Sequence, residues 1–500
     1  MNSLLARLQQ LAEASPGHPV LESNYGQISV IELLVRIQEL SLELQAMNIS
    51  VLGLFCENSV DWVTADLASQ FEGLCLVPIP TFFSDIQVRY VVESAALDAL
   101  LYDTGSASRV AFLFGENEST TVQVASRLLC RRMSPQCPAI MPATTSKLTF
   151  TSGTTGNPKG VCLSSTQCLT VATSVQKAIA IKAPRHLCVL PLSTLLENIG
   201  GVYMPILSGG TSVVYPVAAM GMDGSSQVRP QVFLNAIERH RPHTMILVPQ
   251  LLALIDAGLA QGWKAPDSLR FIAVGGGRVA QAVLARVRAA GLPVYEGYGL
   301  SECASVVSMN TDRYDRPGTS GRVLPHVQVT EVDGELQVSG NNFLGYLGEP
   351  DSWDANSVHT GDLGVVSEDG FVTVQGRHKN VLVSSYGRNI SPEWVESELL
   401  AITEIQQALV LGDAQPHCSA LIYPSSRAVT DAQVQSALDQ VNQQLPDYAQ
   451  ILSWCRLDAP FTVSNGMLTE NGRLRRDAIA GRLKTQINSL YSNPQESLAV

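Results

Sequence analysis

The chain has 500 residues, a formal charge of −12, and 45% hydrophobic against 16% charged residues. Such a length exceeds one ordinary domain, and the composition is that of a globular protein, not of a disordered or fibrous one. The acidic balance excludes the clustered basic surface that nucleic-acid binding requires, because the one basic run, Arg473-Leu474-Arg475-Arg476, is too short to form it.

Leu4, Leu5, Leu8 and Leu11 fall at helical spacing near the N-terminus. The segment lacks the basic start and apolar core of a secretory signal, so a surface helix is predicted there. No apolar run approaches the about 20 residues that span a bilayer, and no transmembrane segment is expected. The ten cysteines lie scattered between Cys56 and Cys455 without a Cys-x-x-Cys pair or a zinc-site spacing. They suit the reduced thiols of a cytoplasmic protein.

Strand-like apolar runs at 51–55, 74–79, 187–190, 212–215, 244–248 and 271–274 alternate with longer helical patterns, which predicts βαβ units and mostly parallel sheets. Residues 133–146 contain three prolines and read as a connector ahead of a strand at 147–150. Beyond about residue 320 the rhythm changes to short strands joined at Asp333-Gly334 and Asp369-Gly370, a small antiparallel unit. From Asn380 a new α+β pattern begins, with a strand at 381–384, a helix from Pro392, a strand near Leu409 and a helix near Asp431. The prediction is an α/β protein: a large N-terminal domain of βαβ-type subdomains plus the antiparallel unit over residues 1–377, and a small α+β C-terminal domain over 378–500.

The strongest local signal is Leu148-Thr-Phe-Thr-Ser-Gly-Thr-Thr-Gly-Asn-Pro-Lys-Gly160. Glycines let a backbone approach a ligand closely, Ser and Thr hydroxyls offer neutral hydrogen bonds, and Lys159 adds a movable cation, a combination suited to polyphosphate. It differs from the common P-loop, since Lys159 is followed by Gly160 and not by Ser or Thr. Further along stand Val274-Gly-Gly-Gly-Arg278, which a plain strand-to-helix turn would equally explain, and Tyr295-Glu-Gly-Tyr-Gly-Leu-Ser-Glu302. Then come His359-Thr-Gly-Asp362, Gly376-Arg-His-Lys-Asn380, Tyr386-Gly-Arg-Asn-Ile-Ser-Pro392 and Leu468-Thr-Glu-Asn-Gly-Arg-Leu-Arg-Arg476. A carboxylate such as Asp362 suits a vicinal diol, because each oxygen can accept one hydroxyl hydrogen, although a turn residue beside glycine reads the same way.

These motifs, in this order from about Tyr25 to Arg476, resemble those of the adenylate-forming (AMP-binding) superfamily of acyl-CoA synthetases, carrier-protein-loading adenylation domains and luciferases. The resemblance implies that Thr151, Ser152, Gly153, Thr154, Thr155, Gly156 and Lys159 bind the phosphates of ATP, and that Gly275, Gly276 and Gly277 form the turn at the adenine and acyl pocket. It places Gly297, Tyr298 and Gly299 at the adenine, Ser301 near the α-phosphate and Glu302 on Mg2+, a hard cation that takes few carboxylates beside phosphate oxygens. Asp362 and Arg377 are expected at the ribose and Lys379 at the pivot of a mobile C-terminal domain. Rotation of that domain is expected to bring Gly387 to a thiol channel.

Two positions depart from the superfamily pattern: Ser301 stands in place of its usual Thr and keeps the hydroxyl, and Arg473 stands where it has a catalytic lysine. Segment 190–198 lacks the histidine common there and carries Glu197, as in long-chain fatty acyl-CoA synthetases, and Gly200 and Gly201 are expected to leave room for an acyl chain. The implied reaction is ATP-dependent activation of a small-molecule carboxylic acid, fatty or otherwise apolar, to an acyl-adenylate, then transfer to the thiol of CoA. The alternatives are a ligase loading the phosphopantetheine thiol of a separate acyl carrier protein or an amine, and a nucleotide-binding pseudoenzyme suggested by Arg473.

Overall fold

The strands Val51–Phe55 and Cys75–Pro78 are buried at every position, as strands covered by helices on both faces must be. They lie in a computed structural model that describes residues 3–116, 121–124, 127–151, 158–223, 227–386, 388–469 and 472–491. Among these residues an eight-stranded sheet runs in the order Gly345–Tyr346, Lys159–Leu163, Lys147–Thr151, Cys75–Pro78, Val51–Phe55, Ala99–Tyr102, Leu129–Arg132 and Thr121–Gln123. Its centre is parallel and both its flanks pair antiparallel. A nine-stranded sheet has a parallel centre built from Val294–Tyr298, Phe271–Val274, Thr244–Leu247, Arg185–Leu187, Thr211–Val213 and Pro19–Ser23. The alternation of apolar runs and helical patterns thus folds as predicted, with strand ends moved by a few residues.

The four-stranded antiparallel unit comprises Val327–Val332, Glu335–Gly340, Ser357–Val366 and Val372–Arg377. Its first hairpin turns on Asp333 at φ 52° and Gly334 at φ 80°, the left-handed pair that a two-residue loop demands. The smaller C-terminal domain packs helices Pro392–Leu399 and Asp431–Asn442 against a three-stranded sheet. Its first helix reaches back to the large domain: the Glu398 carboxylate accepts from the main chain of Gln281, and the Arg286 guanidinium donates to the Ala401 carbonyl at 3.2 Å. No helix among the described residues is long and apolar enough to cross a membrane.

Two local features depart from expectation, and a third, a buried lysine, has no mark in the sequence. The N-terminal helix, Ser3–Ala14, is not a plain surface helix, since Leu4 and Leu8 are fully buried in the main core. Lys147, at the start of the strand leading to the phosphate loop, is buried. Its Nζ meets Asp66 at 2.8 Å, Tyr203 Oη at 2.8 Å and Asn198 at 2.5 Å. Removing one partner from such a buried pair leaves an uncompensated charge, at a cost of about 3–5 kcal/mol.

Asn198 and Tyr203 bound a π-helical segment, Asn198–Tyr203, a rare geometry that recurs near functional sites. Its glycines do not leave open room. A Cβ on Gly200 would lie 2.5 Å from Ile246 Cδ1, and one on Gly201 would lie 2.6 Å from Glu197 Oε1. Neighbouring side chains already fill the space those glycines release.

Candidate functional site

The strands Lys147–Thr151 and Lys159–Leu163 pair antiparallel with Thr151 opposite Lys159, so the two ends of the segment expected to bind phosphate lie side by side. Ser152, Gly153, Thr154, Thr155 and Gly156 lie outside the described residues. Lys159 is exposed. Its Nζ lies 3.1 Å from Glu349 Oε1 and 4.6 Å from the ring centroid of Tyr346, a cation–π distance.

Tyr346 is placed there by the strand Gly345–Tyr346, which pairs with Lys159–Leu163 so that Tyr346 faces Val161. Its hydroxyl donates to Glu302 Oε1 at 2.8 Å. Burial first, and then the neighbouring Glu302 carboxylate, push the Tyr346 hydroxyl well above its ordinary pKa, so it remains a donor.

Glu302 itself sits on a short 3-10 turn, Ser301–Cys303, that also carries Ser301. The turn is held tightly. Ala304 and Ser305 adopt φ of 54° and 99°, which side chains rarely accept. A Cβ on Gly299 would collide with the Ser305 carbonyl oxygen, so only glycine lets the chain wrap this closely. The Glu302 carbonyl is pinned by the Phe343 amide at 2.6 Å.

Just before this turn, the strand Val294–Tyr298 delivers Gly297 and Tyr298. The Gly275, Gly276, Gly277 turn follows the adjacent strand Phe271–Val274; Gly275 abuts Gly297, Gly277 abuts Pro249, and Gly276 has φ 78°. Tyr298 Oη donates to Asp362 Oδ2 at 2.7 Å. Asp362 faces Arg377 across the antiparallel ladder, and Arg377 Nε meets Asp362 Oδ1 at 2.7 Å while its NH1 donates to the Thr360 carbonyl at 3.0 Å. One aspartate therefore ties an aromatic hydroxyl to a guanidinium. Burial raises the Asp362 carboxyl, and Arg377 first, then Tyr298, oppose the rise.

The C-terminal domain contributes the remaining cations. Arg473 follows a turn closed by Thr469, whose amide donates to the Arg473 carbonyl at 2.7 Å and whose hydroxyl accepts from the Arg473 amide at 3.1 Å. Its guanidinium feels the charges of Arg377, Asp362 and Glu302 from across the domain junction. Arg473 is open to water by surface area yet walled by both domains, as a group on the floor of an open cleft is. Desolvation there, and then Arg377, lower it from its ordinary value. Lys379, on the short turn His378–Asn380 just after Arg377, is lowered by desolvation and by the same two arginines. Gly387 lies outside the described residues.

The structure thus brings Lys159, Glu302, Tyr298, Asp362, Arg377 and Arg473 to one cleft between the domains. That set offers a carboxylate for a hard cation, a carboxylate for hydroxyls, and three separate cations for phosphate oxygens. Glu302 suits Mg2+ in type, being a hard oxygen donor.

Tyr346 and Glu349 are members of the site that the motifs did not single out. Leu344-Gly-Tyr-Leu-Gly-Glu-Pro350 reads only as a turn, and its two glycines, Gly345 at φ 133° with Trp353 packed against it and Gly348 at φ 73°, are what mark a special backbone. Elsewhere, burial gathers His186, Cys188 and Glu197 so that their ligand atoms lie within 4.8 Å of one another. Each already has a protein partner: His186 bonds Glu197 at 3.1 Å and Thr244 at 2.9 Å, Glu197 accepts from the Leu190 amide at 3.3 Å, and Cys188 reaches the Gly201 carbonyl at 3.6 Å. Burial raises the Glu197 carboxyl against the pull of His186. Glu197 is fully buried in this network.

Comparison with known proteins adds three findings. The family described as "AMP-binding enzyme" matches residues 8–347, and that described as "AMP-binding enzyme C-terminal domain" matches residues 379–495. The chain is 27% identical to the long-chain-fatty-acid–CoA ligase FadD15 of Mycobacterium bovis, over 88% of this chain and 87% of that protein. Its fold is like that of the anthranilate CoA ligase AuaEII in complex with anthranoyl-AMP, with a TM-score of 0.80 at 18% identity, covering 98% of each chain. It is also like the o-succinylbenzoate CoA synthetase MenE from Bacillus subtilis in complex with ATP and magnesium ion, with a TM-score of 0.74 at 23% identity, covering 94% of this chain and 98% of that one.

Proposed function

Because the chain belongs to the AMP-binding enzyme family, we propose that it activates a carboxylic acid with ATP and transfers the acyl group to CoA. The acid's carboxylate attacks the α-phosphorus of ATP, pyrophosphate leaves, and the CoA thiolate then attacks the acyl carbon and expels AMP. The observation that carries this reading is the Tyr298–Asp362–Arg377 cradle facing Lys159, Glu302 and Arg473 across one cleft.

Asp362 has two oxygens to offer the ribose hydroxyls in exchange for its present partners. Tyr298 is proposed to lie against the adenine, and Ser301 to donate to the α-phosphate. Lys159 and Arg473 oppose the charge that builds on the polyphosphate and on the attacking carboxylate, and that preorganised opposition is where most of the rate is expected to arise. Magnesium, held by Glu302 and the phosphates, would supply further charge neutralisation.

The boundary between residues 377 and 378 is proposed as the hinge, with Lys379 at its pivot and rotation of the C-terminal domain bringing Gly387 to the thiol. The Glu398–Gln281 and Arg286–Ala401 contacts hold the orientation in which Arg473 faces the cleft. Ten free cysteines suit a reducing, cytoplasmic setting.

For the acid, a fatty chain is supported by the FadD15 likeness. A panel of fatty, aryl and amino acids tests it, with thioester formation read by mass spectrometry and either CoA or an acyl carrier protein as acceptor. Acyl-CoA from a medium or long fatty acid supports the proposal. Turnover of aryl acids alone would replace the fatty substrate, and thioester on the carrier protein alone would replace CoA.

A further inference from the structure

Glu349 stands beside the one lysine of the phosphate loop, where a polyphosphate would meet its like charge. Its main chain is fixed: the Glu349 amide donates to the Tyr346 carbonyl at 3.3 Å, and the Glu349 carbonyl accepts from the Ser352 amide at 2.9 Å and the Ser352 hydroxyl at 2.6 Å. The indole of Trp353 donates to the Tyr346 carbonyl at 3.0 Å, closing the same turn. The carboxylate is thus held toward Lys159, with its oxygens 3.1 and 3.4 Å from Nζ. Both side chains are 48% exposed, so the pair is open to exchange with solutes.

On the reading that Lys159 takes the polyphosphate, we infer that Glu349 is a positioning residue that holds Lys159 while the subsite lacks phosphate, releases it to the β- and γ-phosphates of ATP, and reclaims it as pyrophosphate departs. Three observations converge on this role. The lysine is parked over the Tyr346 ring with its ammonium already aimed by Glu349. The same tyrosine hydroxyl holds Glu302, so the turn orients the cation and the carboxylate of the site together. An exposed ion pair is weak enough to yield to a multiply charged ligand. Glu349 therefore weakens ATP and pyrophosphate binding alike, and loosening the product is the gain.

The test is calorimetric titration of the full chain with ATP, pyrophosphate and AMP at fixed magnesium, for wild type, Glu349→Gln, Glu349→Asp, Lys159→Ala and the double variant Lys159→Ala/Glu349→Gln. Glu349→Gln should tighten ATP and pyrophosphate by about two- to fivefold, the range an exposed pair can supply. AMP, which lacks the β- and γ-phosphates, should bind unchanged, and Glu349→Asp should restore most of the wild-type affinity. In the Lys159→Ala background Glu349→Gln should have no effect. Equal tightening in that background would overturn the inference in favour of bare charge repulsion, and a matching change in AMP would reduce it to a structural effect. No change on Glu349→Gln, with ATP weakened by Lys159→Ala, would overturn the inference alone. Wild-type ATP binding by Lys159→Ala would remove the lysine from the site and take both readings down.

Discussion

Asp362 accepts from Tyr298 and Arg377 at once, each at 2.7 Å, so one buried carboxylate joins the nine-stranded sheet to the last strand before the C-terminal domain. Asp362→Ala should weaken ATP binding by about 10- to 100-fold, as expected for losing hydrogen bonds to a charged acceptor. It also leaves the Tyr298 hydroxyl and the Arg377 guanidinium without this partner, at about 1–3 kcal/mol of stability. Titration with ATP, alongside thermal melting, checks both.

Arg473 stands where the superfamily resemblance leads one to expect a lysine. Arg473→Ala should abolish adenylate formation but spare thioester formation from a supplied acyl-adenylate, because the proposed rotation of the C-terminal domain carries Arg473 away by that step. Arg473→Lys should also lower the first step, since an ammonium cannot reproduce the planar fork of a guanidinium among Asp362, Glu302 and Arg377. Rates of the two half-reactions, measured separately, decide. Indifference to both substitutions would leave Arg473 as a solvated charge.

The docking contacts of helix Pro392–Leu399 should act on the two half-reactions in opposite senses. Glu398→Gln weakens the acceptor of the Gln281 amide and removes a charge facing Arg278. The expected result is adenylation slowed by a few fold with the thioester step unchanged or faster. Equal slowing of both would show that the contact supports the fold and not one orientation.

His326 makes stability sensitive to acid. Its Nε2 donates to the Val306 carbonyl at 3.0 Å, whereas Nδ1 is buried without a partner among the described residues. Burial lowers its pKa below the ordinary 6.5, the hydrogen bond opposing. Above about pH 6.5 the ring is neutral in both folded and unfolded states. Below it the unfolded chain takes up the proton first, so stability falls as pH drops, by about 1.4 kcal/mol per unit of downward shift. His326→Gln should lose less melting temperature than wild type between pH 7.5 and pH 5.5.

Much of the site is legible in the sequence because its motifs need particular residue types in a fixed order. Lys159, the carboxylate Asp362, and Arg377 opposite it come to one cleft once the strands pair. What stays hidden depends on tertiary packing. Lys147 begins an apolar strand and nothing beside it in the sequence marks a partner, yet it is buried against Asp66, Asn198 and Tyr203. Gly200 and Gly201 suggest open space, and only the fold shows Ile246 and Glu197 filling it. Tyr346 and Glu349 lie in an ordinary turn sequence, and the Gly345–Tyr346 strand pairing is what carries them to the phosphate loop.

The central claim is that this cleft makes an acyl-adenylate, and exchange of labelled pyrophosphate into ATP tests it most directly, because it reports the first half-reaction without any thiol. Exchange should appear with an apolar carboxylic acid, require magnesium but not CoA, and in Asp362→Ala need correspondingly more ATP. Binding of ATP with no exchange for any fatty, aryl or amino acid would contradict the account and leave the chain a nucleotide-binding protein.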